Sequence, residues 1–332
     1  MMDYEIFLEV VKEKFLDYMP EQFQGATVVM NSINKVNCKK DGLTIHTQGE
    51  ERISPNLYVN EMYEHYKRCG DLDEVLRTGA SIYLDALEQV PAKKFKLDVA
   101  DFKDNVVMLL INSEQNKDLL LDVPNKPFQD LSVVFKWVIS IDEKGMAGTI
   151  VTNDLMKTMG INMEDLMKYA VENTKRICPP KIESMEEMLF GSLGDDMDQD
   201  LATMLNMFGE NPKEKMWVVT NNIGIDGAAA MLYEENLHIL AEKMGTDLYL
   251  LPSSVHEWIA VSVEMGTPEE LSEMVQEVNM GVVSLDERLS NNVYHYDKDL
   301  RKVTLATDVP NKRLDGVIAE PPMIYNTDNP KR

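Results

Sequence analysis

The first hydrophobic pattern lies near the start of the chain. One stripe comprises five apolar residues that recur at helical spacing among acidic residues and lysines: Ile6, Phe7, Val10, Val11 and Phe15. Residues three and four positions apart share one face of an α-helix, so this stripe predicts an amphipathic helix over residues 3–18.

Similar spacing, together with residues that start or stop helices, predicts more helices along the chain. The predicted segments are Glu61–Arg68, Leu72–Gln89, Asp101–Asn112, a helix capped by Asn162, Ala228–Met244 and a helix that begins at Thr267. The last of these has an N-cap threonine, a proline at the first helical position and a glutamate three residues after the cap, which is typical of a helix start.

Alternating or β-branched segments separated by turn residues predict hairpins between the helices. Leu131–Ile141 and Met146–Val151 flank a polar turn, and the pair Asp41-Gly42 is a hairpin signal after the strand predicted at Ala26–Val36. Because neighbouring strands pair locally, the element order favours an α+β fold with mostly antiparallel, hairpin-based sheets packed with amphipathic helices.

Changes in composition divide the chain into four predicted regions. They are an N-terminal α+β region at 1–193, an acidic linker or surface loop at 194–214, a C-terminal α+β region at 215–306 and a flexible tail at 307–332.

Charge limits the classes of partner. The 332 residues include 33 Lys and Arg against 57 Asp and Glu, a formal net charge of -24. Such a surface repels phosphate, so neither a nucleic acid nor an anionic membrane is expected as a partner. The acidity supports solubility, and its functional alternative is a basic partner protein.

The cellular location is predicted from the absence of membrane-spanning, signal-peptide and disulfide patterns in the sequence. No run of about 18 apolar residues predicts a membrane span, and the N-terminus does not resemble a signal peptide. The three cysteines, Cys38, Cys69 and Cys178, are widely spaced and odd in number, which argues against a disulfide framework. We therefore expect a cytoplasmic protein.

Motifs that bind cofactors or metals are incomplete. Gly224–Ala228 lies between a strand and a helix but lacks the lysine of a phosphate loop, so a plain turn is favoured over an anion site. The acidic run from Asp196 has Leu201 where a calcium loop needs glycine. No zincin helix follows His256-Glu257, because Ala260 stands where the second histidine belongs. No cofactor or metal site is predicted.

Ser254, His256 and Glu257 are the candidate catalytic residues. They fit a nucleophile, a base and an orienting carboxylate that share a cleft, as in a hydrolase. The alternative is structural, since Ser254 and Glu257 also have the spacing of a capping box. No Gly-x-Ser-x-Gly motif accompanies the serine.

Two segments carry a resemblance to a known family. Residues 251–257, Leu-Pro-Ser-Ser-Val-His-Glu, and residues 288–297, Arg-Leu-Ser-Asn-Asn-Val-Tyr-His-Tyr-Asp, resemble a bacterial family classed as a domain of unknown function. Residues 150–153 and 227–230 are similar as well, and the resemblance covers residues 1 to about 306. It implies an acidic cytosolic protein and brings no activity with it.

Two functions therefore stay open. The first, which we favour, is a noncatalytic adaptor that binds a protein or a peptide, since the chain is acidic, lacks a complete catalytic motif and has methionines at helical spacing, among them Met163 and Met167. The second is a hydrolase-like enzyme with a site near Ser254, His256 and Glu257.

Overall fold

The structure is a computed structural model that describes residues 2–47, 54–89, 98–142, 145–188 and 211–308. The chain forms two compact units, Met1–Asp98 and Val99–Arg332. Helices and antiparallel sheets alternate along both units, so the predicted α+β class is confirmed.

The described part of the first unit contains three helices and a three-stranded antiparallel sheet in the order β1-β2-β3. Its elements are α1 Tyr4–Lys14, β1 Thr27–Lys35, β2 Cys38–His46, β3 Leu57–Tyr58, α2 Val59–Cys69 and α3 Leu72–Gln89, with short 3-10 turns at Phe15–Tyr18 and Glu21–Phe23.

Helix α1 packs on α2 through the predicted apolar stripe. Phe7 and Phe15 are fully buried, and the Phe7 ring stacks on Tyr66 with 5.4 Å between ring centroids. Ile6, at the edge of the stripe, remains half exposed. The stripe thus supplies the core of this unit, as its spacing predicted.

The turn between β1 and β2 is not where the sequence predicted it. The strands reverse at Val36-Asn37, where Asn37 has a φ of 61°. Asparagine tolerates this left-handed conformation, so it makes a two-residue turn possible. Gly42 instead lies inside β2, where a Cβ atom would overlap the side chain of Ile33. The predicted turn at Asp41-Gly42 is therefore wrong.

In its described residues, the second unit contains six helices and two antiparallel sheets. Its helices are α4 Val99–Asn105, α5 Lys117–Asp122, α6 Asn153–Thr158, α7 Met163–Ile177, α8 Glu234–Met244 and α9 Pro268–Gly281. Its strands are β4 Val106–Asn112, β5 Lys126–Phe128, β6 Leu131–Asp142, β7 Gly145–Ile150, β8 Pro180–Ser184, β9 Trp217–Asn221, β10 Leu248–Ser254, β11 Glu257–Ser262, β12 Tyr294–Asp297 and β13 Lys302–Leu305.

One sheet is built on the long strand β6. Strand β4 pairs with one edge of β6, while β5 and β7 pair with different parts of the other edge. The second sheet has six strands in the order β13-β12-β10-β11-β9-β8. The hairpin predicted at 131–151 is confirmed.

A single large core joins the two sheets of this unit. Alternate residues of β6, such as Phe135 and Trp137, share it with Trp258 of β11, Tyr294 of β12 and buried residues of α8. Helix α9 covers the opposite face of the six-stranded sheet with Leu271 and Val275. Its capping box at Thr267 and Glu270 is present, as predicted.

The predicted helix at Asp101–Asn112 is wrong in its second half. Helix α4 ends at Asn105, and the next seven residues form β4, in which every residue is buried. A continuous apolar run of this length is typical of a strand buried on both faces, and periodicity alone does not separate it from a buried helix. The predicted helix at Ala228–Met244 likewise begins as a 3-10 turn at Gly227–Leu232 before α8 starts.

The boundary between the compact units, at Asp98 and Val99, differs from the region boundary predicted at 193. Strand β8, which precedes that position, pairs with β9, which follows the predicted linker. Most of the linker at 194–214 and the tail at 307–332 lie outside the described residues, so both remain predictions. Among the described helices, none has the length and apolar character needed to cross a membrane.

Candidate functional site

The three predicted catalytic residues lie at the tip of the β10–β11 hairpin. Ser254 ends β10, Glu257 begins β11, and His256 occupies the turn between them. The Ser254 hydroxyl accepts a hydrogen bond from the backbone N–H of His256, at 3.0 Å. The Glu257 carboxylate accepts one from the hydroxyl of Ser253, at 3.3 Å. Both side chains therefore support the turn.

The imidazole of His256 is held by other parts of the unit. Its Nδ1 accepts the backbone N–H of Asp226 at 3.0 Å, and its Nε2 lies 3.6 Å from a carboxylate oxygen of Glu287. A ring nitrogen that accepts an N–H carries no proton, so in the neutral ring the proton is on Nε2, facing Glu287. Among the described residues, no hydrogen bond joins the Ser254 hydroxyl to this ring.

The loop before the 3-10 turn at Gly227–Leu232 is closed by internal hydrogen bonds. Asn221 accepts the N–H groups of Ile223 and Gly224 at 2.9 and 2.8 Å, and the N–H of Ala228 donates to Val255 O. Gly227 passes so close to the backbone of the hairpin tip that a Cβ atom would overlap it. These N–H groups thus already have acceptors, which favours a plain turn over an anion site.

A buried ion pair lies beside this loop. Lys136 on β6 contacts Asp226 at 2.9 Å, and both side chains are largely buried. Cys178 lies near the pair, and burial, together with the charge of Asp226, raises the pKa of its thiol to about 11. A thiol with so high a pKa is protonated at neutral pH, so Cys178 is poorly suited to be a nucleophile.

The other polar residues considered from the sequence lie elsewhere in the unit. His295 lies 3.1 Å from Asp247 and is paired across strands with Tyr249. Val255 at the tip is six positions after Tyr249 in the chain, which corresponds to about 20 Å of extended strand. The side chain of Asn153 donates to Leu121 O at the start of α6, whose N-cap is Thr152.

The second family-like segment, residues 288–297, is almost entirely buried. Ser290, Asn291 and Asn292 are at most 2% exposed, and Tyr294 is fully buried. Buried polar groups are normally hydrogen-bonded, and the groups of this segment form their hydrogen bonds with other residues of the same unit. Asn279 of α9 donates to Ser290 O and to the side chain of Asn291, each at 2.9 Å.

Asp130, in the turn between β5 and β6, is the centre of this buried network. Its carboxylate accepts hydrogen bonds from Ser290 at 2.7 Å, from Asn292 at 3.1 Å and from the hydroxyl of Tyr294. Burial, followed by the Asp130 charge, raises the pKa of Tyr294 well above its ordinary value. The network ties the β5–β6 turn to β12, so it has a structural role.

The family-like segments also meet one another. Val255 N donates to Glu287 O at 2.8 Å, and the ring of Trp258 packs edge-on against Tyr294 with 5.0 Å between centroids. The indole of Trp258 donates to Ala228 O. Residues 227–230 therefore contact the hairpin tip directly, and Leu289 and Tyr294 of the third segment share the core with Ala228, Val255 and Trp258.

A cleft of about 430 Å³ opens on another side of the second unit. Its floor is mainly apolar, and four charged side chains stand at its rim. The lining residues are Met108, Lys126, Pro127, Phe128, Val133, Met167, Val171, Lys175, Leu232, Tyr233, Glu234 and Glu235.

Helix α7 forms one wall of the cleft because its polar side chains fix it against the edge of β4. Thr174 accepts the backbone N–H of Met108 at 2.9 Å, and Asn173 donates to Val106 O at 3.1 Å. Residues four apart on a helix lie above one another, so this docking directs Met167, Val171 and Lys175 to the cleft.

The rim of the cleft is nearly neutral in charge. Lys175 lies 3.6 Å from Glu235 and 4.9 Å from the centroid of the Tyr233 ring. The Tyr233 hydroxyl donates to Val171 O, and burial raises its pKa to about 12. Glu234 pairs with Arg301, which holds its pKa below the usual range. Lys126, which also lines the cleft, has no ion-pair partner in the part of the chain that the structure describes.

The cleft was not predicted from the sequence, although the methionines of one predicted helix indicated part of it. Met163 and Met167 recur on the predicted face of α7, and both are half buried in the structure. The other walls come from β5, β6 and the turn before α8, which no local motif links to α7. Only the fold brings them together.

The fold and these features define an α+β protein with a buried polar network and a partly apolar cleft. Residues 4–298 match the sequence model of one family, which is described as "Family of unknown function (DUF5688)". The match spans most of the chain, so the chain belongs to this family, and the resemblance seen in its two segments is confirmed. Neither the curated proteins nor the solved structures compared with the chain include a match.

Proposed function

We propose that the chain is a noncatalytic binding protein, and that its cleft receives an apolar side chain from a peptide segment of a basic partner protein. The observation that carries the proposal is the cleft itself, whose floor is apolar and open to solvent. Its volume of about 430 Å³ falls within the range of about 300–1,000 Å³ that is typical of binding sites.

The lining suits a peptide side chain. Met108 and Met167 are flexible and polarisable, so they adapt to different apolar groups. Phe128 and Tyr233 supply rigid aromatic surface beside them, and such rings are common anchors for a bound side chain. The cleft can thus accept a single large apolar residue without a dedicated polar motif.

Charge supports a basic partner. The two lysines and two glutamates of the rim nearly cancel one another, so the field of the whole chain, with its net charge of -24, dominates at longer range. Such a field speeds the approach of a basic partner and slows that of an acidic one.

A peptide library displayed on phage and selected against the full-length chain tests the proposal. Enriched sequences are synthesised with a fluorophore, and their dissociation constants are measured by anisotropy with the wild type and with Met167→Lys. We expect a shared apolar residue flanked by lysine or arginine, and binding at least about tenfold weaker to the variant. Association should slow as salt rises from about 50 to about 500 mM.

Met274→Lys is the matched control, because Met274 is exposed on α9 and does not line the cleft. It should bind the peptides as the wild type does. The proposal fails if no peptide is enriched, or if the two variants bind the enriched peptides equally.

A second candidate function is a hydrolase at the hairpin tip, and the observation that favours it is the approach of Glu287 to His256 at 3.6 Å. A hydrolase mechanism would require the Ser254 hydroxyl to break its hydrogen bond with the backbone N–H of His256. The side chain would then rotate to form a hydrogen bond with the imidazole of His256. A fluorophosphonate probe, which reacts with activated serines, should then label the wild type and not Ser254→Ala. Absence of labelling would remove this candidate.

A further inference from the structure

Three metal-binding side chains meet in the first unit. His65 and Cys69 lie four residues apart on α2, so they share one face of that helix, and Glu74 lies in the first turn of α3. Their nearest ligand atoms all lie within 4.8 Å of one another, and the His65 Nε2 is 3.7 Å from a Glu74 oxygen. Nothing in the function proposed above uses these residues.

The connection between the two helices holds these side chains close together. Gly70 ends α2 in the left-handed conformation, with a φ of 71°, and its N–H donates to Tyr66 O at 2.8 Å. Asp71 then accepts the N–H groups of Asp73 and Glu74 at 2.9 and 3.2 Å, which begins α3. Only four residues separate Cys69 from Glu74, so the turn fixes the backbone positions of all three donors.

A packed core lies beneath the cluster. Met62 and Tyr66 of α2 are buried together with Val75 and Leu76 of α3. The donors themselves lie on the outer side of this contact. The Cys69 residue is exposed, and the side chains of His65 and Glu74 are 29% and 57% exposed. The packed core therefore holds the backbone of α2 and α3 in place, while the exposed side chains of the three donors can change rotamer.

The distances are close to those of a zinc site. Zinc binds sulfur at about 2.3 Å and histidine nitrogen or carboxylate oxygen at about 2.0–2.2 Å, so two donors of a tetrahedral site stand about 3.3–3.6 Å apart. The His65–Glu74 pair is already at 3.7 Å. The widest pair in the cluster needs to approach by about 1 Å, which rotation of exposed side chains supplies.

We propose that His65, Cys69 and Glu74 bind one Zn²⁺ ion, which links the end of α2 to the start of α3. A thiolate, an imidazole and a carboxylate form a donor set that suits zinc, whereas calcium and magnesium prefer oxygen donors alone. Binding requires the Cys69 thiol to release its proton to solvent, and a water molecule completes the tetrahedron. The thiol gives up its weak contacts with the Asp71 backbone, which are 3.5 Å long.

Titration of the metal-free full-length chain with Zn²⁺, in competition with a chromophoric chelator, tests the proposal. We expect one tight site in the wild type. Loss of an outer-shell partner costs about 10–100-fold in affinity, so Cys69→Ser, His65→Asn and Glu74→Gln should each weaken binding by about 100-fold or more. Titration with Co²⁺ should give a thiolate-to-cobalt charge-transfer band in the wild type and not in Cys69→Ser.

Cys38→Ser and His46→Asn are matched controls, because both residues belong to the same unit and neither belongs to the cluster. They should bind zinc as the wild type does. The proposal is overturned if Cys69→Ser and the wild type bind zinc equally, or if the wild type shows no charge-transfer band.

Alkylation of the unmutated chain gives a second test that does not depend on the folding of a variant. Iodoacetamide reacts with thiolates, and mass spectrometry of the digested chain reports each cysteine separately. Zinc should protect Cys69 and leave the rate at Cys38 unchanged. Equal alkylation of Cys69 with and without zinc would contradict the site.

Discussion

The segment Arg288–Asp297 and the cleft beside α7 are opposite kinds of region in the same unit. The segment is rich in polar side chains and nearly fully buried, whereas the cleft has an apolar floor that is open to solvent. In the segment, polar groups satisfy one another around Asp130. In the cleft, apolar side chains pack against the core on one side and line an opening to solvent on the other.

This difference shows why a distinctive stretch of sequence need not form an accessible surface. A buried residue is constrained by all its neighbours, so a polar network in a core admits few alternatives and gives its segment a recognisable sequence. An adaptable cleft tolerates many apolar residues of similar size and leaves no comparable motif. The segment that carries the resemblance is therefore, by its contacts, a part of the framework.

Among variants of these two regions, removal of the Asp130 carboxylate should reduce the stability of the unit most. Asp130→Ala removes the acceptor of three hydrogen bonds, which Ser290, Asn292 and Tyr294 donate. We expect the free energy of unfolding of the second unit to fall by about 3–5 kcal/mol. Urea unfolding followed by tryptophan fluorescence measures it, since all three tryptophans, Trp137, Trp217 and Trp258, lie in that unit.

Asp122→Ala is the control for this experiment. Asp122 is exposed at the end of α5, so its replacement should change stability by no more than about 0.5 kcal/mol. Equal stability of the two variants would show that the network does not hold the β5–β6 turn to β12.

A smaller effect, with a characteristic pH dependence, is expected for Tyr294→Phe. The variant loses one hydrogen bond to a carboxylate and should be about 1–3 kcal/mol less stable at neutral pH. Tyr249→Phe, on β10, is the control for loss of a hydroxyl, because this hydroxyl has no hydrogen-bond partner among the described residues. It should cost less than about 0.5 kcal/mol.

The pH dependence follows from the raised pKa of Tyr294. In the unfolded chain a tyrosine loses its proton near pH 10, while burial keeps Tyr294 protonated in the folded unit to a much higher pH. Stability is therefore fully present below about pH 10 and falls as the pH rises above it. Urea unfolding at about pH 8 and pH 10.5 should show a shallower fall for Tyr294→Phe than for the wild type. An identical fall would mean that Tyr294 titrates normally.

The fold was predictable where local chemistry specifies it. The stripe of α1, the cap of α7 and the capping box of α9 each need only a few neighbouring residues, and all are present. Strand β4 was predicted as a helix because its seven residues are all buried, so its sequence has no period of two. Packing against the rest of the fold determines that these residues form a strand, and such packing cannot be recognised from a local sequence pattern.

The candidate site was less predictable for the same reason. Ser254, His256 and Glu257 are neighbours in sequence, and the hairpin does bring them together. The partners of His256, however, come from Asp226 and Glu287, which are about 30 residues away on either side. The cleft and the His65 cluster depend in the same way on contacts between separate elements.

The smallest change in stability is expected in the cleft. Met167 is half buried, and the long stem of a lysine can occupy the same space while its charge reaches water. Met167→Lys should therefore cost only about 0.5–1.5 kcal/mol in urea unfolding, far less than Asp130→Ala, although it should weaken peptide binding strongly. Met274→Lys on α9 should change neither stability nor binding measurably. A loss of stability at Met167 as large as that at Asp130 would mean that the cleft wall belongs to the framework, and the contrast between the two regions would then be wrong.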